Sequence, residues 1–300
     1  MVGYLFAGQG SQNVGMGKDL YAAYPAAKNI FDQADQVLGF SLSTLCFEGP
    51  QEELTKTNNC QPAIVTMSIA CWEVYKTKHP EIDGYMAGLS LGEYSALVAS
   101  GALKFEDAVY LVRRRGVFME EAALRKPGKM LSIIGLELNA VKEICALSNS
   151  EIANINCPGQ VVISGTAQHI EDAQKIAKEK GAKLAVILDV SGAFHSSFMQ
   201  EAGVKLSAEL EKIKITQPEF PVVSNCNAKV TLNPDEIRQN LVKQVAESVL
   251  WEDSMRLMLG EGIKSFIEFG PGKVLKGLMR RIDSSAQVVN VEKKSDIDGI

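Results

Sequence analysis

Paired cysteines are missing from this 300-residue chain. The six thiols (Cys46, Cys60, Cys71, Cys145, Cys157 and Cys226) are scattered, with no Cys-x-x-Cys spacing. Neither a zinc site nor a disulfide framework is signalled, and free thiols in a reducing compartment are expected. A basic excess is missing too: 31 Lys and Arg stand against 36 Asp and Glu, a net charge of −5. Broad electrostatic binding to nucleic acid is thereby excluded, although a local basic patch stays open. No long hydrophobic run exists. A long uncharged stretch, Thr57 to Trp72, contains Asn, Gln, Pro, Thr and Ser, and is too short and polar to cross a membrane. The start, Met1-Val2-Gly3-Tyr4-Leu5-Phe6, has no basic segment and turns glycine-rich at once, so no signal peptide is read there. Repeats and low-complexity segments are absent, and there are only three histidines. A cytoplasmic protein without membrane or nucleic-acid partners is the expectation.

What is present is an alternation of strand and helix patterns, the mark of an α/β fold. Val2–Phe6 reads as a buried strand ending at Gly8-Gln9-Gly10-Ser11-Gln12; Tyr24–Leu38 and Ala63–Lys78 read as helices. Tyr85–Leu89 is a short strand, followed after Ser90 by a helix to about Ser100, and Phe105–Leu124 is a strong helix. The texture changes near Lys126-Pro127-Gly128. From there the order is strand (Met130–Leu136), helix (Asn139–Ser148), two strands (Ile152–Asn156 and Gln160–Ser164), helix (Ala167–Gly181) and strand (Ala182–Val190). That order is the split βαβ, or ferredoxin-like, unit. The chain therefore divides into a discontinuous large domain, 1–125 and 194–300, and an inserted small domain, 126–193. Further on, helices are expected over Phe198–Lys212, Asp235–Glu247, Glu252–Glu261 and Lys273–Arg281, with strands at Pro221–Ser224 and Ser265–Phe269. The last ten residues read as a loose tail.

Gly88-Leu89-Ser90-Leu91-Gly92, between a short apolar strand and a helix, has the pattern of a nucleophile elbow. The glycines permit a sharp turn, and the backbone N–H after the serine, that of Leu91, can join an oxyanion hole. The competing role for Ser90 is a plain helix N-cap. A nucleophilic serine needs a base. His79, next to Lys78 and Pro80, reads as an exposed helix end, and His169 as a solvated residue in a polar helix. His195 lies in a small-residue turn directly after a strand, where α/β folds place catalytic groups, and is favoured. Of Arg113-Arg114-Arg115, only Arg115 falls on the apolar stripe of Ala108, Leu111, Val112, Met119 and Ala122; the other two read as solvated. A core-facing arginine requires an anionic partner, either a structural salt bridge or a substrate carboxylate. The Gly8–Asn13 turn fits neither a dinucleotide fingerprint nor a Walker A loop, and suits a turn that presents backbone N–H groups, with Gln9 as a second oxyanion donor.

In these stretches the sequence resembles one family: the malonyl-CoA:acyl carrier protein transacylases of fatty acid synthesis and the related polyketide acyltransferases. The likeness runs through Phe6–Gln12, Gly88–Leu97, Arg115-Gly116, Pro158–Gly165, Ala193–Ser196 and Glu268–Gly272. It implies an α/β-hydrolase-like domain carrying a ferredoxin-like insert. It also implies an acyl-serine at Ser90 with His195 as base, an oxyanion hole from the N–H groups of Gln9 and Leu91, and Arg115 on the malonyl carboxylate. Gln244 would orient the histidine through its backbone carbonyl, and Phe194, before the histidine, resembles the malonyl type. The implied partners are malonyl-CoA and holo acyl carrier protein, with no cofactor. Because such carriers are acidic, Lys273, Lys276, Arg280 and Arg281 are expected to form a docking patch. Two positions depart from the family: Leu89 replaces a common histidine, and Glu120 a common glutamine, the latter expected to matter little. A serine hydrolase using Asp189 as acidic third member, a discrete polyketide acyltransferase, and a non-catalytic carrier-binding protein remain as alternatives.

Overall fold

The computed structural model describes residues 1–300. Eleven strands form two sheets. The larger is built from β1 (Val2–Phe6), β2 (Gly84–Gly88), β7 (Val222–Val223), β8 (Val230–Thr231), β10 (Ser265–Phe269) and β11 (Gln287–Val291), in the order β11-β10-β1-β2-β7-β8. All its pairings are parallel except β7 with β8. Parallel strands need cover on both faces, and β1 shows it: Tyr4 and Phe6 enter one core, Leu5 another. Tyr4, Phe6, Trp72 and Phe269 pack as an aromatic cluster on the first face.

The second sheet contains β3 (Lys129–Ile134), β4 (Glu151–Cys157), β5 (Gln160–Gly165) and β6 (Leu184–Ile187), ordered β6-β3-β5-β4. With helices Leu138–Ser148 and Ala167–Glu179 between its strands, it has the antiparallel layout of the ferredoxin-like unit read from the sequence. The two-residue strand β9 (Val249–Leu250) extends it in parallel beside β4, far from the other four in sequence. So short a strand has no readable period, which is why it escapes sequence analysis; the same holds for β8.

Several expectations need correction. The expected helix from Ala63 begins six residues earlier, as Thr57–Lys78, with Pro62 inside it. Pro62 has no N–H to give the carbonyl of Asn58, and Arg113 supplies the donor instead, at 2.7 Å. Arg113 is therefore half-buried rather than solvated, and it also stacks over Phe40. Arg114 likewise reaches Glu209 and covers Phe118. His79 is not an exposed end, since its ring stacks on Tyr75 at 4.3 Å, and His169 is half-buried.

The carboxyl end is no loose tail. Val291 closes β11, helix Lys294–Asp298 follows, and Ile297 is fully buried while Lys78 donates to its carbonyl. Charge-rich composition concealed a docked turn of helix whose one buried side chain is Ile297. No helix is long and apolar enough to cross a membrane. Ile297→Ala is expected to lower unfolding free energy by about 2–5 kcal/mol in urea titration; a change under about 0.5 kcal/mol would mean the segment does not hold.

Candidate active site

The elbow forms because β2 and helix Gly92–Ala99 meet without room for a side chain at either flanking glycine. A Cβ on Gly88 would lie 2.0 Å from the backbone of Gly92, and one on Gly92 would lie 2.2 Å from the carbonyl oxygen of Phe6. Ser90 consequently takes a left-handed φ of 51°, uncommon for a residue with a side chain. Its N–H donates to Asn225 Oδ1 at 2.5 Å, and Asn225 Nδ2 donates to the carbonyl of Gly88 at 2.8 Å. One amide thus ties both ends of the turn.

His195 also has a left-handed φ, 55°, in the loop after β6. Hydroxyls pin its neighbours: Ser164 donates to the carbonyl of Phe194 and Ser196 to that of Ala193, each at 2.6 Å. The imidazole bridges Ser90 Oγ, 2.7 Å from Nε2, and the carbonyl oxygen of Gln244, 2.7 Å from Nδ1. A carbonyl only accepts, so Nδ1 carries the proton and Nε2 is left to accept from the serine hydroxyl. Burial, and then the charge of Arg115, push the imidazole pKa down to about 4. At neutral pH the ring is uncharged and able to take a proton. Asp189 lines the pocket, but the orienting partner on Nδ1 is a backbone carbonyl, so the acidic third member of the hydrolase alternative is not formed.

Arg115 is 1% exposed and lies where its helical position predicts. It donates to Gln61 Oε1 at 3.0 Å, to Gln244 Oε1 at 3.1 Å and to Ser90 Oγ at 3.2 Å. All three acceptors are neutral, and Nε has no partner. The structural salt bridge entertained from sequence is therefore absent. The buried guanidinium thus lies beside a serine hydroxyl with no carboxylate among its hydrogen-bond partners.

These groups open on a pocket of about 780 Å³ between the two sheets. Gln9, Ser90, Arg115, Phe194 and His195 line it from one side, Met130, Asn154 and Val162 from the other. The backbone N–H groups of Gln9 and Leu91 donate to no protein acceptor, and a Cβ on Gly8 would sit 2.7 Å from the carbonyl oxygen of Leu89, so the first loop lies against the elbow. Both loops follow the carboxyl ends of adjacent parallel strands, where open α/β sheets hold their ligands. Glu120 proves less remote than expected: it lines the pocket and accepts from the N–H of Asn58 at 3.1 Å.

A family profile described as an acyl transferase domain matches residues 3–294. The malonyl CoA-acyl carrier protein transacylase of Bacillus subtilis is 47% identical over 99% of this chain and 95% of its own length. This chain belongs to the malonyl CoA-acyl carrier protein transacylase family. The Escherichia coli K12 transacylase is 44% identical over 93% of this chain and 92% of its own length. A Vibrio cholerae acyl carrier protein S-malonyltransferase superposes with a TM-score of 0.96 at 38% identity, over 99% of both chains. A malonyl-transacylase solved in complex with a type II polyketide synthase acyl carrier protein does so with the same score and identity, over 99% of this chain and 97% of its own.

Within this transacylase the structure adds three residues that sequence reasoning passed over. Gln61 was hidden in the uncharged run, Asn225 follows a two-residue strand, and Glu93 looked like a first-turn acid of a helix. Only Glu93 left a signal, as the one charge in the apolar helix Gly92–Ala99. Of the basic cluster, Lys273, Lys276 and Arg280 are exposed at or along the helix whose Val274 lines the pocket, whereas Arg281 is tied to Gln160 Oε1 and the carbonyl of Pro158. Because His195 is held neutral, labelling of Ser90 by an organophosphorus probe is expected to stay level from about pH 8 to about pH 5 and fall near pH 4. An acid limb at about 6.5 would instead reveal an imidazole of ordinary basicity.

Proposed function

We propose that this protein transfers a malonyl group from malonyl-CoA to the phosphopantetheine thiol of acyl carrier protein, through a malonyl-serine at Ser90. One observation carries the choice of acyl group: the buried Arg115 guanidinium, 3.2 Å from Ser90 Oγ, has no carboxylate of the protein to pair with. The malonyl CoA-acyl carrier protein transacylases that this chain resembles, and a carrier complex among them, support the same donor and acceptor.

In the first half-reaction Ser90 Oγ attacks the thioester carbonyl while its proton passes to His195 Nε2, the base already at 2.7 Å. The oxyanion lies against the N–H groups of Gln9 and Leu91. Collapse breaks the C–S bond, and the CoA thiolate leaves with the proton from His195. The carrier thiol then attacks the malonyl-serine by the reverse course, in a ping-pong cycle. Gln244 holds the imidazole through its carbonyl, Phe194 lines the acyl end of the pocket, and Asp189 takes no part in the proton transfer. One thioester replaces another, so the exchange is nearly balanced and calls for neither ATP, a metal nor a redox cofactor. In our reading 126–193 is the small domain that covers the site, 1–125 and 194–300 are the large one, and the enzyme works in the cytoplasm. Fatty acid synthesis is the pathway we assign; a discrete polyketide acyltransferase is the second reading, favoured by the polyketide carrier in the related complex.

Arg115→Ala is expected to lower malonyl transfer by roughly 10²- to 10³-fold, the scale of losing a buried charge pair, while sparing acetyl transfer. Equal losses for both acyl groups in a stopped assay of Ser90 loading would refute the assignment. For the carrier, a Lys273→Glu, Lys276→Glu pair is expected to raise its KM severalfold, and an unchanged KM would remove those residues from the docking surface.

A further inference from the structure

Arg115 has one charged neighbour that its hydrogen bonds do not reach directly. Glu93, in the first turn of helix Gly92–Ala99, is 3% exposed, and burial pushes its carboxyl pKa up, opposed by hydrogen bonds and by the charge of Arg115. Between the two lies the Gln244 amide. Its Oε1 accepts from Arg115 at 3.1 Å, and its Nε2 donates to Glu93 Oε2 at 2.6 Å and to the carbonyl of Ser90 at 2.9 Å. The sense of that amide is forced at both ends, because a guanidinium only donates and a carboxylate only accepts. The same Glu93 oxygen accepts the N–H of Asn225 at 3.1 Å, and Asn225 is the residue that ties the Ser90 turn. Two N–H donors on one oxygen suit an ionised carboxylate.

We propose that Glu93 is the resting counter-ion of Arg115, held one amide away so that the guanidinium is balanced in the empty enzyme yet free to pair with an incoming carboxylate. This rests on the malonyl reading of the site. A direct Glu–Arg bridge would satisfy the guanidinium and exclude the substrate. A guanidinium with no anion in the protein would be costly to bury and would hold a malonyl group too firmly for onward transfer. Placing the carboxylate behind Gln244 avoids both extremes: the charges feel each other through the low-dielectric interior, while the face of Arg115 toward Ser90 stays open. Glu93 is thus a positioning and charge-balancing residue; it touches neither serine oxygen nor substrate.

Glu93→Gln keeps the shape and an acceptor for Gln244 but removes the charge. Loading of Ser90 from malonyl-CoA and from acetyl-CoA, each followed to equilibrium by intact mass, should then shift toward the malonyl adduct by about tenfold, the scale of one charge–charge interaction across an intervening residue. The acetyl equilibrium should stay put. Equal shifts for the two acyl groups, or none, would overturn the proposal. The companion measurement is thermal unfolding of Arg115→Ala, Glu93→Gln and the double variant, none of which requires substrate. If the two charges balance each other, the double variant melts above Arg115→Ala, because the stranded carboxylate is removed with its cation. If Glu93 serves only as a hydrogen-bond acceptor, the two losses add, and the proposal fails. Failure of the malonyl reading shows separately, as wild-type Ser90 that takes up acetyl and malonyl groups alike.

Discussion

A positive charge buried next to the Ser90 hydroxyl constrains almost everything around the site. Arg115 reaches the pocket from a helix whose apolar stripe it interrupts, and a buried guanidinium calls for hydrogen-bond acceptors. Gln61 and Gln244 provide them without neutralising the charge, since amide oxygens accept hydrogen bonds but carry no formal charge. Gln244 is then committed twice, with its side chain to Arg115 and its backbone carbonyl to His195. The residue that holds the guanidinium is therefore also the one that sets the tautomer of His195.

The same charge acts on the histidine. Together with burial it keeps the imidazole neutral well below the ordinary range, so the ring waits as an acceptor rather than as an imidazolium. A carboxylate on Nδ1, as in a hydrolase triad, would counter that effect by stabilising the protonated ring. A carbonyl orients the ring with less pull. For an enzyme that swaps one thioester for another, a base that releases its proton readily suits both halves of the cycle.

The helix Thr57–Lys78 shows how packing overrides local pattern. Pro62 marks an obvious helix start by sequence, yet the helix runs a further turn and a half ahead of it because Arg113 satisfies the carbonyl that the proline cannot. Gly116 lets the two helices approach at that point, since a Cβ there would sit 2.7 Å from Cα of Asn58. That extra length is what carries Gln61 past the elbow to Arg115. Arg113 and Arg115, two residues apart, thus serve different ends: one completes a helix, the other enters the pocket beside Ser90.

By itself the sequence determined the strand-helix alternation, the inserted split βαβ unit, the elbow at Ser90, the choice of His195 among three histidines and the inward turn of Arg115. Each of these is written in short-range spacing: periodicity, glycines flanking a serine, or one charge on an apolar stripe. Only the tertiary structure decided that Arg115 has no carboxylate partner, that Asn225 and Gln61 belong to the site, that Glu93 faces Arg115 through Gln244, and that the carboxyl end docks by Ile297. These depend on contacts between residues far apart in the chain, such as Glu93 and Gln244. Local pattern determines which face a side chain presents; only the packed fold determines what it meets there.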